Sequence, residues 1–125
     1  MTVTGTDLRT IRCHLRPPIA EIVLDRPESG NTITAELLSE LADVTMALAT
    51  NTEIRAVVLR GSGPNFCFGA DVGMFIDEPA ERRPTLIRDL VTRLHTAVTR
   101  LRRLAPGGCR RRRRRRAARP AGRRR

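Results

Sequence analysis

The sequence predicts an α/β fold, with a small sheet on one side and helices on the other. Three observations carry this expectation. Segments of strand character and of helical periodicity follow in the order strand, strand, helix, strand, loop, helix, which is that of an α/β unit. Two segments repeat apolar residues at spacings of three and four, so each lays an apolar stripe along one helical face. The chain has 125 residues, 40% of them hydrophobic, enough for one small packed domain.

Residues 8–15 are irregular but compatible with a strand, and Pro17-Pro18 breaks the chain after them. Ile19-Ala20-Glu21-Ile22-Val23-Leu24-Asp25 is rich in β-branched residues and reads as a second strand. The two can pair as a hairpin around the prolines. Arg26-Pro27-Glu28-Ser29-Gly30-Asn31 is turn chemistry, because proline fixes φ while glycine and asparagine tolerate positive φ. A helix is predicted over 34–49. Thr34 caps it, Glu36 complements its dipole, and Leu37, Leu38, Leu41, Val44 and Leu48 share a face.

Arg55-Ala56-Val57-Val58-Leu59-Arg60 is an apolar run without polar alternation, which predicts a strand covered on both faces. A glycine-rich loop, Gly61-Ser62-Gly63-Pro64-Asn65, leads into Phe66-Cys67-Phe68-Gly69-Ala70-Asp71-Val72. A last helix is predicted over 84–104, opened by Pro84, with Leu86, Leu90, Leu94, Ala97, Leu101 and Leu104 on one face and arginines on the other.

The net charge of +11 would ordinarily point to a polyanion-binding protein, but its position argues otherwise. Residues 1–104 hold thirteen arginines against thirteen acids and are neutral, whereas residues 105–125 hold eleven arginines and no acid. The chain thus divides into a domain over 1–104 and an arginine-rich tail over 105–125, expected to be disordered. Cys13, Cys67 and Cys109 are odd in number and irregularly spaced, which fits neither a disulfide framework nor a zinc site and points to a reducing cytoplasm. No segment reads as a signal peptide or membrane span, so no membrane partner is expected. His14 and His95 have no catalytic partner at a recognisable spacing, Cys67 reads as a small buried thiol, and Asp77-Glu78 as solvent-facing loop.

Two segments together resemble the enoyl-CoA hydratase/isomerase (crotonase) superfamily over residues 9–104. One is Ile22-Val23-Leu24-Asp25-Arg26-Pro27-Glu28 with Asn31 and a following helix. The other is Arg55-Ala56-Val57-Val58-Leu59-Arg60-Gly61 leading to Gly69-Ala70-Asp71. The resemblance implies part of a crotonase-like ββα spiral fold and chemistry on acyl-CoA thioesters, most often hydration of a 2-enoyl-CoA. No cofactor is implied, CoA being part of the substrate. Ala70 N–H would be one of two oxyanion donors. Phe68, Gly69, Asp71 and Val72 would line the path of adenine and pantetheine, and Glu28, Ser29 and Gly30 would lie near the nucleotide. Gly69 would allow close backbone approach. Family members assemble as trimers or dimers of trimers.

The chain departs from the family pattern in three ways. Phe68 stands where a small residue is usual, and Gly30 and Thr32 replace apolar ones. Where the resemblance calls for a second glycine-rich segment and acid/base carboxylates, the sequence reads Ala105-Pro106-Gly107-Gly108-Cys109 and a run of arginines. The chain is therefore expected to be catalytically incomplete. Two other readings are a basic nucleic-acid-binding protein acting through its tail and a non-enzymatic acyl-CoA-binding remnant. All 24 basic residues are arginine, a mark of GC-rich coding, and alanine and glycine codons shifted by one base become arginine and proline codons. A frameshift near codon 104 is the expectation. Another reading frame beyond that codon should then encode an apolar strand, a glycine-rich segment and carboxylates; if sequencing the locus finds none in any frame, the tail is genuine.

Overall fold

The computed structural model describes residues 7–104; the tail lies outside them. Strands β1 (Ile11–Arg16), β2 (Ile19–Leu24) and β3 (Ala56–Gly61) form one sheet in that order. Helices α1 (Ala35–Ala49) and α3 (Arg83–Leu104) pack on it and on each other, and the short α2 (Gly73–Ile76) follows the loop after β3. Every predicted element forms, with ends displaced by one to a few residues.

β1 and β2 pair antiparallel, with Arg16 opposite Ile19, so Pro17-Pro18 is the whole connection. β2 and β3 pair parallel, with α1 as the crossover between them. Strand alternation then sorts the side chains. Ile11, Cys13, Ala20, Ile22 and Leu24 point to the helices and are buried, joined by half-buried Val57 and Leu59. Leu37, Leu38, Leu41, Val44 and Leu48 of α1 close the core with Leu90 and Ala97 of α3. Thr34 caps α1 as its sequence position predicts, its hydroxyl accepting from Leu37 N–H at 3.1 Å.

The far side of the sheet is polar. Arg12 and Arg60 flank Val23 on adjacent strands, and Val23 is fully buried. Arg12 reaches both oxygens of Asp25, at 2.9 and 3.2 Å, and Arg60 bonds Glu21. That guanidinium, more than any other influence, holds the Glu21 carboxyl below its ordinary range.

β3 differs from expectation. Its residues alternate between exposed and half-buried, and Val58 is 42% exposed. Among the described residues β3 is the sheet edge, and both helices lie on one side of it. Among the described residues the run is therefore covered on one face. Similarly, Ile87, Val91 and Val98 leave a second, exposed apolar stripe on α3 beside the packed one.

One buried charge was not legible in the sequence. Glu40, in the middle of α1, accepts from Arg9 N–H (2.7 Å), Thr10 N–H (2.9 Å), the Thr10 hydroxyl (2.6 Å) and Ile11 N–H (3.1 Å). Burial alone would push its carboxyl up, but these four donors together outweigh it and hold it below the ordinary value. The group thus ties the entry to β1 onto α1. Because its folded-state value is depressed, its stabilisation is present above the ordinary value of 4.5 and is lost as pH falls through the lower folded value. Glu40→Ala should cost about 2–3 kcal/mol by urea denaturation, since it strands buried backbone donors. Glu40→Gln should flatten the acid limb of the stability–pH curve between 4.5 and the lower folded value. An acid limb unchanged in Glu40→Gln would show that other carboxylates govern it.

Candidate functional site

Parallel strands end on the same side of a sheet, so the loops leaving β2 and β3 emerge together, the usual place for a ligand in an open α/β sheet. The register puts Leu24 beside Gly61, and Ser62 N–H extends the pairing to Leu24 O at 2.8 Å. From there the segments 26–33 and 62–71 run side by side.

Asn31 joins them. It is fully buried, with φ 54, a left-handed conformation that asparagine tolerates better than most residues. Its side-chain oxygen accepts from Arg26 N–H at 2.8 Å, and its amide nitrogen donates to Ser62 O at 2.9 Å and Asn65 O at 3.0 Å. Beyond Asn31 the two segments lock backbone to backbone. Phe68 N–H donates to Gly30 O (3.1 Å), Ile33 N–H to Gly69 O (2.8 Å) and Asp71 N–H to Ile33 O (2.9 Å), which makes Ile33 and Ala70 a parallel bridge.

That bridge has a consequence for Ala70. In a parallel pair one residue uses both its backbone groups, and its partner's own N–H and C=O point the other way. Ile33 is the residue that bonds, so the Ala70 N–H is turned outward; it has no acceptor among the described residues, and Ala70 is exposed. Gly69, at φ 101, makes the turn that allows this. A Cβ there would meet nothing within 4 Å, so Gly69 is required by its backbone angle and not by close packing.

Asp71 is fully engaged. Its carboxylate accepts from Gly73 N–H (2.9 Å) and Thr32 Oγ1 (3.3 Å) and faces the Arg26 guanidinium at 3.7 Å. Arg26 in turn donates to Thr32 O at 3.1 Å. These contacts hold the carboxylate against the turn.

The predicted site residues fall into two groups. Phe68, Gly69, Ala70, Asp71 and Val72 are contiguous, and Gly30 reaches them through Phe68. Glu28 and Ser29 belong to the Pro27–Ser29 turn, where Ser29 Oγ donates to its own loop at Arg26 O, 3.2 Å. Sequence reasoning missed the roles of Arg26, Asn31 and Thr32 as supports of the 69–71 turn. His95 is exposed on α3, His14 lies across from Glu21 on the polar sheet face, and half-buried Cys67 accepts from Gly69 N–H at 3.4 Å. Phe66, Phe68, Val72 and Ile76 are all more than half exposed around the turn. Among the described residues no helix is long and apolar enough to cross a membrane.

If Asn31 holds the two segments together, Asn31→Ala should cost about 2–4 kcal/mol, combining two stranded carbonyls with a strained φ. Amide exchange should accelerate at Phe68 and Asp71 more than at Ile22 in the sheet. Equal acceleration at all three would mean that the clamp does not depend on this side chain.

Comparison with known proteins agrees with this geometry. The sequence profile of the enoyl-CoA hydratase/isomerase family matches residues 16–103. Enoyl-CoA hydratase AKT6-1 of Alternaria alternata is 33% identical over 69 residues, covering 55% of this chain and 23% of its own length. The crystal structure of an enoyl-CoA hydratase from Bacillus anthracis superposes with a TM-score of 0.67 at 26% identity, over 77% of this chain and 36% of that one. DspI of Pseudomonas aeruginosa gives a TM-score of 0.67 at 28% identity, over 80% and 37%. The chain thus spans about a quarter to a third of the length of these relatives. The family profile, the matched sequences and the shared fold agree: the chain belongs to the enoyl-CoA hydratase/isomerase family.

Proposed function

We propose that the chain supplies the thioester-binding part of an acyl-CoA enzyme, the reaction being addition of water across the double bond of a 2-enoyl-CoA. The observation that carries this reading is the outward Ala70 N–H. Hydration develops negative charge on the thioester oxygen, and a fixed amide donor aimed at that oxygen is worth about 2.7–4 kcal/mol in one measured case. Here the carbonyl of Gly69 and the amide of Asp71 are both bonded to Ile33, so the Ala70 amide is held with no acceptor among the described residues. It needs no reorganisation to meet an oxyanion.

The surroundings support the same reading. The absence of a side chain at Gly69 leaves open space beside the donor, and Phe66, Phe68, Val72 and Ile76 offer apolar contact for an extended thiol arm. The Glu28, Ser29 and Gly30 turn is assigned to the nucleotide end. Asp71 is tied to Arg26, Thr32 and Gly73, and the family resemblance assigns the acid/base groups and the second oxyanion donor to a later glycine-rich segment. Residence in a reducing cytoplasm, where Cys13 and Cys67 stay free, forms part of the same proposal.

The test is an NMR titration of the isotope-labelled chain with crotonyl-CoA, with turnover followed in the same samples. The Ala70 amide proton should move downfield and saturate. Hydration should stay at background, because proton transfer, typically worth 10²–10⁴-fold, is unassisted. Saturable binding that leaves the Ala70 amide unshifted would overturn the assignment.

A further inference from the structure

Asp71 follows Ala70 directly in the chain, so covalent geometry alone keeps its carboxylate within about 8 Å of the Ala70 nitrogen. The Asp71 N–H is bonded to Ile33 O at 2.9 Å, and its Oδ1 accepts from Gly73 N–H at 2.9 Å. The carboxylate therefore cannot swing away from the turn without breaking a bond. A negative charge held there works against the chemistry proposed for the site. An oxyanion gathering at the Ala70 N–H carries the same sign, and a like charge at that range disfavours it.

Arg26 supplies the counter-charge. Its Nη1 donates to Thr32 O at 3.1 Å, and its Nη2 faces Asp71 Oδ2 at 3.7 Å. Thr32 Oγ1 donates to the same carboxylate oxygen at 3.3 Å. The Thr32 hydroxyl and the Gly73 amide satisfy Asp71 as an acceptor, but both are neutral. Among the described residues, Arg26 is the cation that faces it. The two side chains are only 23% and 30% exposed, so water screens their pairing less than it would on open surface. The backbone of Arg26 is also held. Its N–H donates to Asn31 Oδ1 at 2.8 Å, and its carbonyl accepts from Ser29 N–H and Asn31 N–H. The buried asparagine that joins the loops thus also places the guanidinium.

We infer that Arg26 is a positioning residue for the oxyanion donor and acts through Asp71: it holds that carboxylate in the turn and cancels the charge that would otherwise oppose an anion at the Ala70 N–H. The inference rests on the acyl-CoA reading of the site and adds to it the residue that sets the local field. Asp71 is kept for the bonds that shape the turn, and Arg26 removes the electrostatic cost of keeping it.

The experiment follows hydroxide-catalysed exchange of the Ala70 amide proton by NMR in the ligand-free full chain. This exchange passes through a deprotonated, negatively charged amide, so its rate senses the field that an oxyanion would meet. The Ala70 N–H has no acceptor among the described residues, so a loosened turn would leave its exchange equal or make it faster. Loss of the counter-charge would slow it, and the sign separates an electrostatic role from a structural one. Arg26→Met keeps the stem and removes the charge. It should slow Ala70 about 3- to 30-fold, the span for one unit charge at roughly 8 Å between effective dielectrics of about 60 and about 20. Arg26→Lys should stay within about twofold of the native rate, since the charge remains. Asp71→Asn should exchange faster than native, and Arg26→Met combined with Asp71→Asn should return to within about twofold of it. The Ile22 amide in the sheet reports whether each variant is folded. Exchange at Ala70 that is unchanged or faster in Arg26→Met, with Ile22 still protected, would reduce Arg26 to a structural support. If Arg26→Met loses protection at Ile22, Asp71→Asn decides alone, and a rate no faster than native overturns the inference. No ligand takes part, so either failure leaves the acyl-CoA reading standing. That reading falls separately if crotonyl-CoA binds without shifting the Ala70 amide.

Discussion

The buried amide of Asn31 is the interaction on which the loop region depends. Two parallel strands deliver their loops to the same end of the sheet, but nothing in strand pairing dictates how those loops lie against each other. Asn31 does so by bonding Arg26 within its own turn and two carbonyls of the glycine-rich loop 31 and 34 residues further on. Those carbonyls would otherwise be unsatisfied in a half-dry loop junction, a loss that exceeds the net gain of an ordinary hydrogen bond. The backbone ladder from Gly30 to Asp71 follows from this alignment. In that ladder the register decides which N–H groups are used and which are left over. Ala70 is left over because Ile33 takes its neighbours.

A second polar anchor works at the same end of the sheet, where Thr10 O accepts from Asp25 N–H at 2.8 Å. Glu40 fixes the incoming chain to α1 in the way Asn31 fixes the loops, by offering one buried polar group to several backbone donors. The core itself is conventional, with the helical stripe of α1 filling the face made by alternate residues of β1 and β2. Among the described residues no helix packs on the opposite sheet face. Arg12 and Arg60 flank Val23 there, and their charged ends meet Asp25 and Glu21. The sheet is thus asymmetric in how it is covered, apolar on one side and salt-bridged on the other.

The same economy shapes the site. The charged groups nearest the 69–71 turn, Arg26 and Asp71, face one another and are tied further by Thr32 and Gly73. Their pairing leaves a donor-rich but locally balanced turn, in which the outward feature is a backbone dipole and not a side-chain charge. Such a group suits charge that develops during a reaction better than charge already present in a ligand, because its interaction strengthens as the charge appears. Around it the exposed surface is apolar, and Phe68 and Gly30 share one volume between them.

The sequence by itself determined the elements and their order. Helical stripes at spacings of three and four, the Thr34 cap, the proline hairpin and the turn at 26–31 are features of short windows, and their causes lie within a few residues. It also located the Gly69-Ala70-Asp71 turn, and the structure adds that Gly69 takes a positive φ there. Only the tertiary structure decided the rest. The single covered face of β3 depends on which side the helices choose. The burial of Glu40 depends on Thr10, 30 residues earlier, and the seat of the Phe68 ring on a missing side chain at Gly30. The freedom of the Ala70 amide depends on a register between segments that meet only when the sheet forms. These are contacts between distant parts of the chain, and no pattern local to either partner encodes them.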